Sequence, residues 1–302
     1  MKNNINKLVL GTVQFGLDYG INNPKGKPTR ADSLAMLDYA YAKGIRIFDT
    51  ASAYGDAEEI LGEFMVSRSL TDKIKVITKL KPNIITESAG ESYDIILKNL
   101  TISLEKLKRD YVDGYLFHTP AYIRNKEFVD CFCRLKKEGL VKNIGVSIYD
   151  EEDALYAAQL DVVDYIQVPY SILDQRLNKT DFFSVAKKNH KTIFARSAFL
   201  QGLFFMTEDK IPSHLEAVKS YFRELDAIIG RYGLTRQEAA LLFSYQDSRI
   251  DYVVFGVDNL VQLKQDVDIA VRGADIEKCR AELKSKFVDI EKNIIFPSLW
   301  KK

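Results

Sequence analysis

Short runs of β-branched and aromatic residues alternate with longer amphipathic stretches along most of the chain. The short runs have the length of strands, and the longer stretches carry apolar residues at the helical period. The predicted strands span residues 8–12, 46–50, 75–79, 114–118, 143–147, 165–169, 192–195 and 252–256. The predicted helices span 32–43, 57–68, 88–108, 126–138, 150–159, 181–189, 214–246 in two pieces, and 259–271. This alternation predicts βαβ units and a parallel sheet.

Polar side chains mark the starts of several predicted helices. Asp32, Ser88 and Asp181 precede apolar-periodic runs and are predicted N-caps. Asp56, followed by two glutamates, places acidic groups in a first helical turn, where the helix dipole favours them.

Eight strands that alternate with helices over about 250 residues predict a closed (β/α)₈ TIM barrel in one domain. An open doubly wound sheet is the alternative, but Gly11, Gly16 and Gly20 lack the G-x-G-x-x-G spacing of its dinucleotide fingerprint. No linker rich in Pro, Gly or Ser divides residues 1–302, so we expect a barrel over about 7–271 and a tail at 275–302. The tail, with Trp300, either pads the barrel wall or reaches the mouth and shapes a substrate pocket.

Composition excludes several classes of partner. Lys and Arg total 43 and Asp and Glu total 42, so no overall field attracts nucleic acid or an anionic membrane. The chain has neither a signal-peptide pattern nor an apolar stretch of about 18 residues, and a cytoplasmic protein is expected. Its three cysteines lack metal-ligand spacing, so no metal is expected. We expect a monomer or a small homo-oligomer.

Four polar side chains follow predicted strands, where a barrel places its reacting groups. Asp49 follows IRIF, Tyr54 lies in the next loop, Lys79 follows KVIT, and His118 follows GYLF. Taken singly, each has a structural explanation: a helix cap, a rim aromatic, a neutralising cation or a hydrogen-bonded core histidine. Together they meet the chemical requirements of carbonyl reduction.

Reducing a carbonyl requires a proton donor for the developing alkoxide. Tyr54 is the candidate donor, but its unperturbed pKa of about 10 makes it a weak acid near neutrality. The Lys79 ammonium is expected to lower the pKa of Tyr54, while Asp49 keeps Lys79 charged. His118 is expected to donate a hydrogen bond to the carbonyl oxygen.

These segments resemble those of the aldo-keto reductases over about residues 7–271. LGTVQFG resembles the family's first strand, FDTASAYG its Asp and Tyr segment, ITKL its Lys strand, and LFHTP its His strand. The resemblance implies that Asp49, Tyr54, Lys79 and His118 form the family's catalytic tetrad.

Later segments resemble the family's nicotinamide site. GVS at 145–147 and QVPYS at 167–171 imply that Ser147 and Gln167 bind the carboxamide. The family usually has Asn after that Ser, and Ile148 here removes one polar contact. ARSAFLQG at 195–202 matches a stretch whose aromatic residue commonly stacks on the nicotinamide. Here Arg196 replaces it, beside Ser197, and a guanidinium also stacks on rings.

FGVDNLVQLKQD at 255–266, with Gly256, Asp258 and Gln262, resembles the family's adenosine-phosphate segment. NADPH-preferring members usually have Arg or Lys there, whereas Asp258 would repel a 2′-phosphate unless it caps the following helix instead. The resemblance implies NADP(H) as the cofactor, with NAD(H) possible. Because this segment lacks Arg and Lys at the expected positions, discrimination against NADH should be weak.

The resemblance implies an NAD(P)(H)-dependent oxidoreductase that reduces an aldehyde or ketone by hydride transfer. Family members with similar segments often act on sugars, which favours a keto-sugar or a sugar aldehyde. One alternative is a cofactor-binding regulatory subunit with the reductase fold and little turnover. Another is a cofactor-free aldolase or epimerase, which would leave the nicotinamide-like segments unexplained.

Overall fold

The strands form a closed, all-parallel barrel in sequence order, with the eighth pairing to the first. The computed structural model describes residues 5–84 and 92–300. The strands are β1 Leu8–Gly11, β2 Ile47–Asp49, β3 Lys75–Leu80, β4 Gly114–Phe117, β5 Ile144–Ser147, β6 Tyr165–Pro169, β7 Thr192–Arg196 and β8 Tyr252–Phe255. The predicted single-domain (β/α)₈ barrel is confirmed.

Helices connect the strands and continue beyond the last one. They are α1 Val13–Gly16, α2 Arg30–Ala42, α3 Ala57–Ser67, α4 Ser92–Leu107, α5 Lys126–Lys137, α6 Glu151–Gln159, α7 Phe182–Lys188, α8 Val218–Arg231, α9 Arg236–Tyr245, α10 Leu260–Arg272, α11 Glu277–Lys286 and α12 Lys292–Ile295. The predicted helices are all found, with ends that differ by a few residues. Helices α1, α11 and α12 were not predicted; α1 and α12 have four residues each, too few to show a helical period.

The caps differ from expectation at α2. The prediction that Asp32 is the N-cap was wrong: the N-cap is Thr29, whose hydroxyl accepts a hydrogen bond from the Asp32 backbone N–H at 3.1 Å. Asp181 and Asp56 do occupy N-cap positions, but neither side chain makes a capping hydrogen bond. The predicted cap Ser88 lies outside the described residues.

Alternate strand residues point into the barrel, as the two-residue period of a strand requires. They form an interior apolar cluster of Val9, Ile47, Ile77, Leu116, Phe194 and Val254, packed with Tyr165 and Tyr252. On β5 the interior position is Gly145, since a Cβ there would lie 2.8 Å from Leu116 Cγ. The opposite strand faces pack against the helices in a second, larger core.

The chain after α10 crosses back over the barrel. Lys284 of α11 pairs with Asp247, in the connection between α9 and β8, at 2.7 Å. Lys179 and Asp289 form a further ion pair, and Tyr221 Oη donates to Glu291 at 2.8 Å. These contacts hold the tail in place up to the barrel mouth.

Candidate active site

The two-residue period that fills the barrel interior also selects the side chains at its mouth. The residue two positions beyond each interior residue points the same way, one layer nearer the carboxyl ends of the strands. These positions are Gly11, Asp49, Lys79, His118, Ser147, Gln167, Arg196 and Gly256. All of them except Lys79 line one cavity of about 390 Å³.

Lys79 and Asp49 form a buried ion pair beneath the cavity. Lys79 Nζ lies 2.8 and 2.7 Å from the two Asp49 carboxylate oxygens, and it also donates to the Thr50 carbonyl oxygen at 2.8 Å. These acceptors use the three N–H groups of the ammonium. Burial lowers the pKa of Lys79, whereas the Asp49 carboxylate opposes that shift. The expected pairing of these residues is observed.

Tyr54 lies in the loop between β2 and α3, which packs closely on the chain after β1. A Cβ at Gly16 would come within 1.7 Å of the Tyr54 carbonyl oxygen, so only glycine permits this approach. The Tyr54 ring lies 5.3 Å from Lys79 Nζ and meets the His118 ring edge-on at 5.6 Å between centroids. Tyr54, Lys79 and His118 therefore converge as the sequence predicts.

The electrostatics of Tyr54 differ from the prediction. Burial raises the pKa of Tyr54 above its ordinary value, and the Asp49 carboxylate raises it further, whereas Arg196 acts in the opposite direction. The expected net lowering of this pKa is not observed, because burial and the Asp49 carboxylate outweigh the nearby positive charge. Burial, with the positive charges of Lys79 and Arg196, lowers the pKa of His118 to about 3. The imidazole is therefore neutral near neutral pH.

Two polar side chains on β5 and β6 border the same region. Ser147 is buried at the end of β5 and lines the cavity. Gln167 also lines the cavity, but its side-chain amide donates to Asp49 Oδ1 at 2.8 Å. Ile148, by contrast, is buried and does not line the cavity. Gln167 thus connects the predicted cofactor region to the ion pair.

Arg196 ends β7 and lies at the cavity edge with Ser197. Its Nη2 donates to the Ile148 carbonyl oxygen at 2.8 Å, and its Nη1 donates to Ser197 Oγ at 3.1 Å. The guanidinium carbon lies 4.9 Å from the centre of the Tyr149 ring. Ser197 has φ of 66°, so the loop after β7 begins with a sharp left-handed turn.

The cavity extends to the start of α10, where Gly256, Asp258 and Gln262 line it. The alternative that Asp258 caps α10 was wrong: Asn259 is the N-cap, and its Oδ1 accepts from the Val261 and Gln262 N–H groups at 3.0 Å. The Asp258 backbone N–H donates to Gln262 Oε1 at 2.7 Å. Burial raises the pKa of Asp258, although hydrogen bonds from Gln262 and Gln14 oppose that shift.

The C-terminal tail lines the mouth of the cavity as well as packing against the barrel wall. Residues 295–298 line the cavity, and the Arg176 guanidinium carbon lies 4.3 Å from the centre of the Phe296 ring. Trp300 does not line the cavity; its Nε1 donates to the Ile294 carbonyl oxygen at 3.2 Å and braces the end of the tail.

Several cavity residues were missed from the sequence, and they include Gln14, Tyr19, Asn22, Tyr149, Arg176 and Phe205. Gln14 and Tyr149 follow strands within three residues, so the strand-end rule could have found them. Arg176 and Phe205 lie far from any strand end, and no sequence signal marks them.

Comparison with known proteins identifies the family of this chain. The chain matches the model of the Aldo/keto reductase family over residues 7–281. The chain belongs to the aldo/keto reductase family. Members of this family are NAD(P)-dependent oxidoreductases that act on small-molecule carbonyl compounds, and this protein is an enzyme of that type.

Its relatives are distant but span most of the chain. The NADH-specific methylglyoxal reductase of Escherichia coli strain K12 is 25% identical over 297 residues, covering 87% of this chain and 89% of the relative. The pyridoxal 4-dehydrogenase of Microbacterium luteolum is 24% identical, with the same coverage of 87% and 89%. A solved aldo/keto reductase from Klebsiella pneumoniae, in complex with NADP and acetate, has a TM-score of 0.71 at 20% identity, covering 94% of this chain and 92% of its own. That similarity shows a shared fold.

The cavity fits the nicotinamide nucleotide that the family uses. Within the described part of the chain, Gln14 Oε1, His118 Nδ1 and Arg196 Nε are buried without a hydrogen-bond partner. A Cβ at Gly256 would lie 2.5 Å from Gln14 Oε1, so the glycine allows the Gln14 amide to lie against this strand end. Unpaired buried polar atoms are costly, so a ligand that approaches them is favoured.

The described residues contain neither a metal centre nor a membrane-spanning helix. Over residues 5–84 and 92–300, no group of three or more His, Cys, Asp or Glu side chains is arranged to hold a metal ion. In the same ranges, no helix has the length and apolarity needed to span a membrane.

Proposed function

We propose that this protein reduces an aldehyde or ketone with NAD(P)H and that Tyr54 is the general acid. The observation that carries the proposal is the meeting of the Tyr54 ring and the neutral His118 imidazole at one cavity wall, directly above the Lys79–Asp49 pair. A carbonyl oxygen placed between these two rings has two hydrogen-bond donors.

The raised pKa of Tyr54 suits an acid that transfers its proton late. Its phenol stays protonated while substrate binds, and it donates to the carbonyl oxygen once that oxygen becomes an alkoxide, a stronger base than a phenolate. His118 orients the oxygen from its neutral form. The Lys79–Asp49 pair positions Tyr54 and makes the charge beneath it nearly neutral.

The bound cofactor supplies a hydride to the carbonyl carbon. Ser147 and Gln167 would hold its carboxamide, Arg196 and Ser197 would lie against the nicotinamide half, and Gly256, Asp258 and Gln262 would hold the adenosine half. Three N–H groups at the start of α10 already pair with the Asn259 and Gln262 side chains, and no basic residue lines the cavity there. These features favour weak discrimination against NADH, in line with the name of the Escherichia coli relative.

The substrate we propose is a small polar carbonyl compound, a keto-sugar or a sugar aldehyde. The cavity wall offers amide and phenol groups from Gln14, Tyr19, Asn22 and Gln201, which suit a polyhydroxylated ligand. The two relatives named above act, by their names, on methylglyoxal and pyridoxal, which are also small and polar.

Replacing Tyr54 with Phe tests the proposal, because this change removes the hydroxyl and keeps the ring. We expect kcat to fall by at least about 10³-fold while the cofactor dissociation constant changes less than about two-fold, since the hydroxyl acts in the transition state. Steady-state kinetics on a panel of sugar aldehydes, with cofactor fluorescence titration, measures both. Turnover near wild type would remove Tyr54 as the acid.

The same titrations separate this proposal from a regulatory subunit. Cofactor binding by the wild-type protein, without turnover on any carbonyl of the panel, would favour the regulatory role. A protein that binds neither NADH nor NADPH would contradict both.

A further inference from the structure

Arg196 is a cation at the cavity without a carboxylate partner. Within residues 5–84 and 92–300, no Asp or Glu oxygen lies within 4.0 Å of its guanidinium. Its acceptors, the Ile148 carbonyl oxygen and Ser197 Oγ, are uncharged, and its Nε is buried without a partner. The nearby Tyr149 ring is neutral and compensates a guanidinium only partly.

The other charged side chains around this end of the cavity are paired, and Arg176 pairs with Glu151 at 2.9 Å as well as with Asp174. Asp49 pairs with Lys79 at 2.7 Å, and Asp174 accepts two hydrogen bonds from Arg176 at 2.8 and 3.0 Å. His118 is neutral near neutral pH because burial and the neighbouring cations lower its pKa to about 3. Of the two arginines that line the cavity, Arg176 and Arg196, only Arg176 has carboxylate partners among the described residues.

The reacting ring of the cofactor must lie within reach of this charge. Tyr54 and His118 define where the carbonyl oxygen binds, so the hydride donor has to lie beside them in the same cavity. Arg196 is close enough to both residues to shift their pKa values downward. A charge on the ring would interact with Arg196 in the same partly buried surroundings.

We propose that Arg196 makes the protein bind the reduced cofactor more tightly than the oxidised one. Hydride transfer moves two electrons and a proton from the neutral reduced ring to the carbonyl carbon, while the oxygen takes its proton from Tyr54. The ring is left with one positive charge. An unpaired guanidinium repels that charge and leaves the neutral ring unaffected. Arg196 thereby favours loading with NAD(P)H and release of NAD(P)⁺.

This inference rests on the proposed function, and cofactor binding tests it without measuring turnover. The wild-type protein is titrated with NADH and NADPH by fluorescence, and NAD⁺ and NADP⁺ are measured by competition. Arg196→Gln and Arg196→Met remove the charge, and Arg196→Lys, the matched control, keeps it. Circular dichroism and thermal melts check that each variant folds.

For the cofactor pair that wild type binds more tightly, we expect the reduced form to be favoured about ten-fold or more. Arg196→Gln and Arg196→Met should reduce this preference by about ten-fold, mainly through tighter binding of the oxidised form. Arg196→Lys should retain most of it.

An unchanged preference in both neutral variants would overturn the inference. Equal weakening of the two redox forms would also overturn it, since Arg196 would then hold a part of the cofactor that both forms share. In either case cofactor still binds, so the proposed function survives. Wild-type protein that binds no nicotinamide cofactor would overturn both.

Discussion

Asp49 and Asp247 are both buried carboxylates paired with cations, but their surroundings differ. Asp49 faces a single cation, Lys79, which is fully buried and supplies its three N–H groups to Asp49 and Thr50. Asp247 accepts from Arg249 at 2.8 and 2.9 Å, from Lys284 at 2.7 Å and from Tyr170 Oη at 3.0 Å. Both of its cations are partly exposed.

Under the proposed function, this difference separates a pair that serves catalysis from a pair that serves the fold. Burial alone would raise the pKa of Asp247, but hydrogen bonds from Arg249 and Lys284 outweigh that effect and hold the pKa well below its ordinary value. Asp247 thus stabilises the fold by joining α11 to the connection before β8. Lys79 and Asp49 are both buried, and the cost of removing two charges from water makes such a pair a poor source of net stability. We propose that this pair is present because it positions Tyr54.

The largest effect should follow from Lys79→Met. We expect at least about 10³-fold loss of kcat/KM, because an unpaired Asp49 carboxylate raises the pKa of Tyr54 further. Any residual activity should persist to higher pH than in wild type, since Tyr54 then keeps its proton longer. An unshifted pH–rate profile would assign Lys79 another role.

A double variant separates the chemical effect of Lys79 from its effect on stability. Lys79→Met alone should lower the free energy of unfolding by about 3–5 kcal/mol, because Asp49 is left as an unpaired buried charge. Adding Asp49→Asn should restore much of that stability, as measured by urea denaturation, without restoring activity.

Asp247→Asn should reverse this pattern, with a loss of stability and little loss of activity. We expect the free energy of unfolding at pH 7 to fall by about 2–4 kcal/mol, with kcat within about two-fold of wild type. Folding lowers the pKa of the Asp247 carboxyl, so its carboxylate stabilises the folded protein at pH values above the unfolded pKa of about 4. This stabilisation is lost as the pH falls below that value. The loss of stability in Asp247→Asn, measured by urea denaturation, should therefore become smaller below pH 4.

Asp289→Asn, which breaks an exposed pair with Lys179, is the control and should change stability by less than about 1 kcal/mol.

A third buried carboxylate, Asp266 of α10, has no cation partner among the described residues and accepts from Gln237 Nε2 at 2.8 Å. Burial raises the pKa of Asp266 to about 7. Because the folded protein keeps this proton more tightly than the unfolded chain, stability should fall as the pH rises from about 4 to 7. Asp266→Asn should remove that fall and be about 1–3 kcal/mol more stable than wild type at pH 8. Asp268→Asn, on the exposed side of the same helix, should leave the fall unchanged.

The smallest effect concerns Asp258, a carboxylate at the cavity with only amide partners. Asp258→Arg should replace repulsion of a 2′-phosphate with attraction and raise the ratio of NADPH to NADH affinity about ten-fold. Since Asn259 caps α10, thermal stability should hardly change. Titrating both cofactors measures the ratio, and Asp258→Asn, which removes the charge alone, should give an intermediate value. An unchanged ratio would remove Asp258 from the cofactor site.

The sequence by itself determined the barrel and the side chains that face its mouth. Strand periodicity has only two phases, so Ile47, Ile77 and Leu116 in the interior require Asp49, Lys79 and His118 to point the same way. The helix starts were less well determined, as Asp32 shows, because several neighbouring polar residues can serve as a cap.

Only the tertiary structure decided which of these side chains form hydrogen bonds and ion pairs with one another. Gln167 donates to Asp49, 118 residues away in sequence, and Asn259 rather than Asp258 caps α10. The tail reaches the cavity through Phe296, held by Arg176. The pKa of Tyr54 is raised because closure of the barrel buries it and places the Asp49 carboxylate nearby. Burial and charge pairing depend on distances across the fold, and local residue patterns contain no information about those distances.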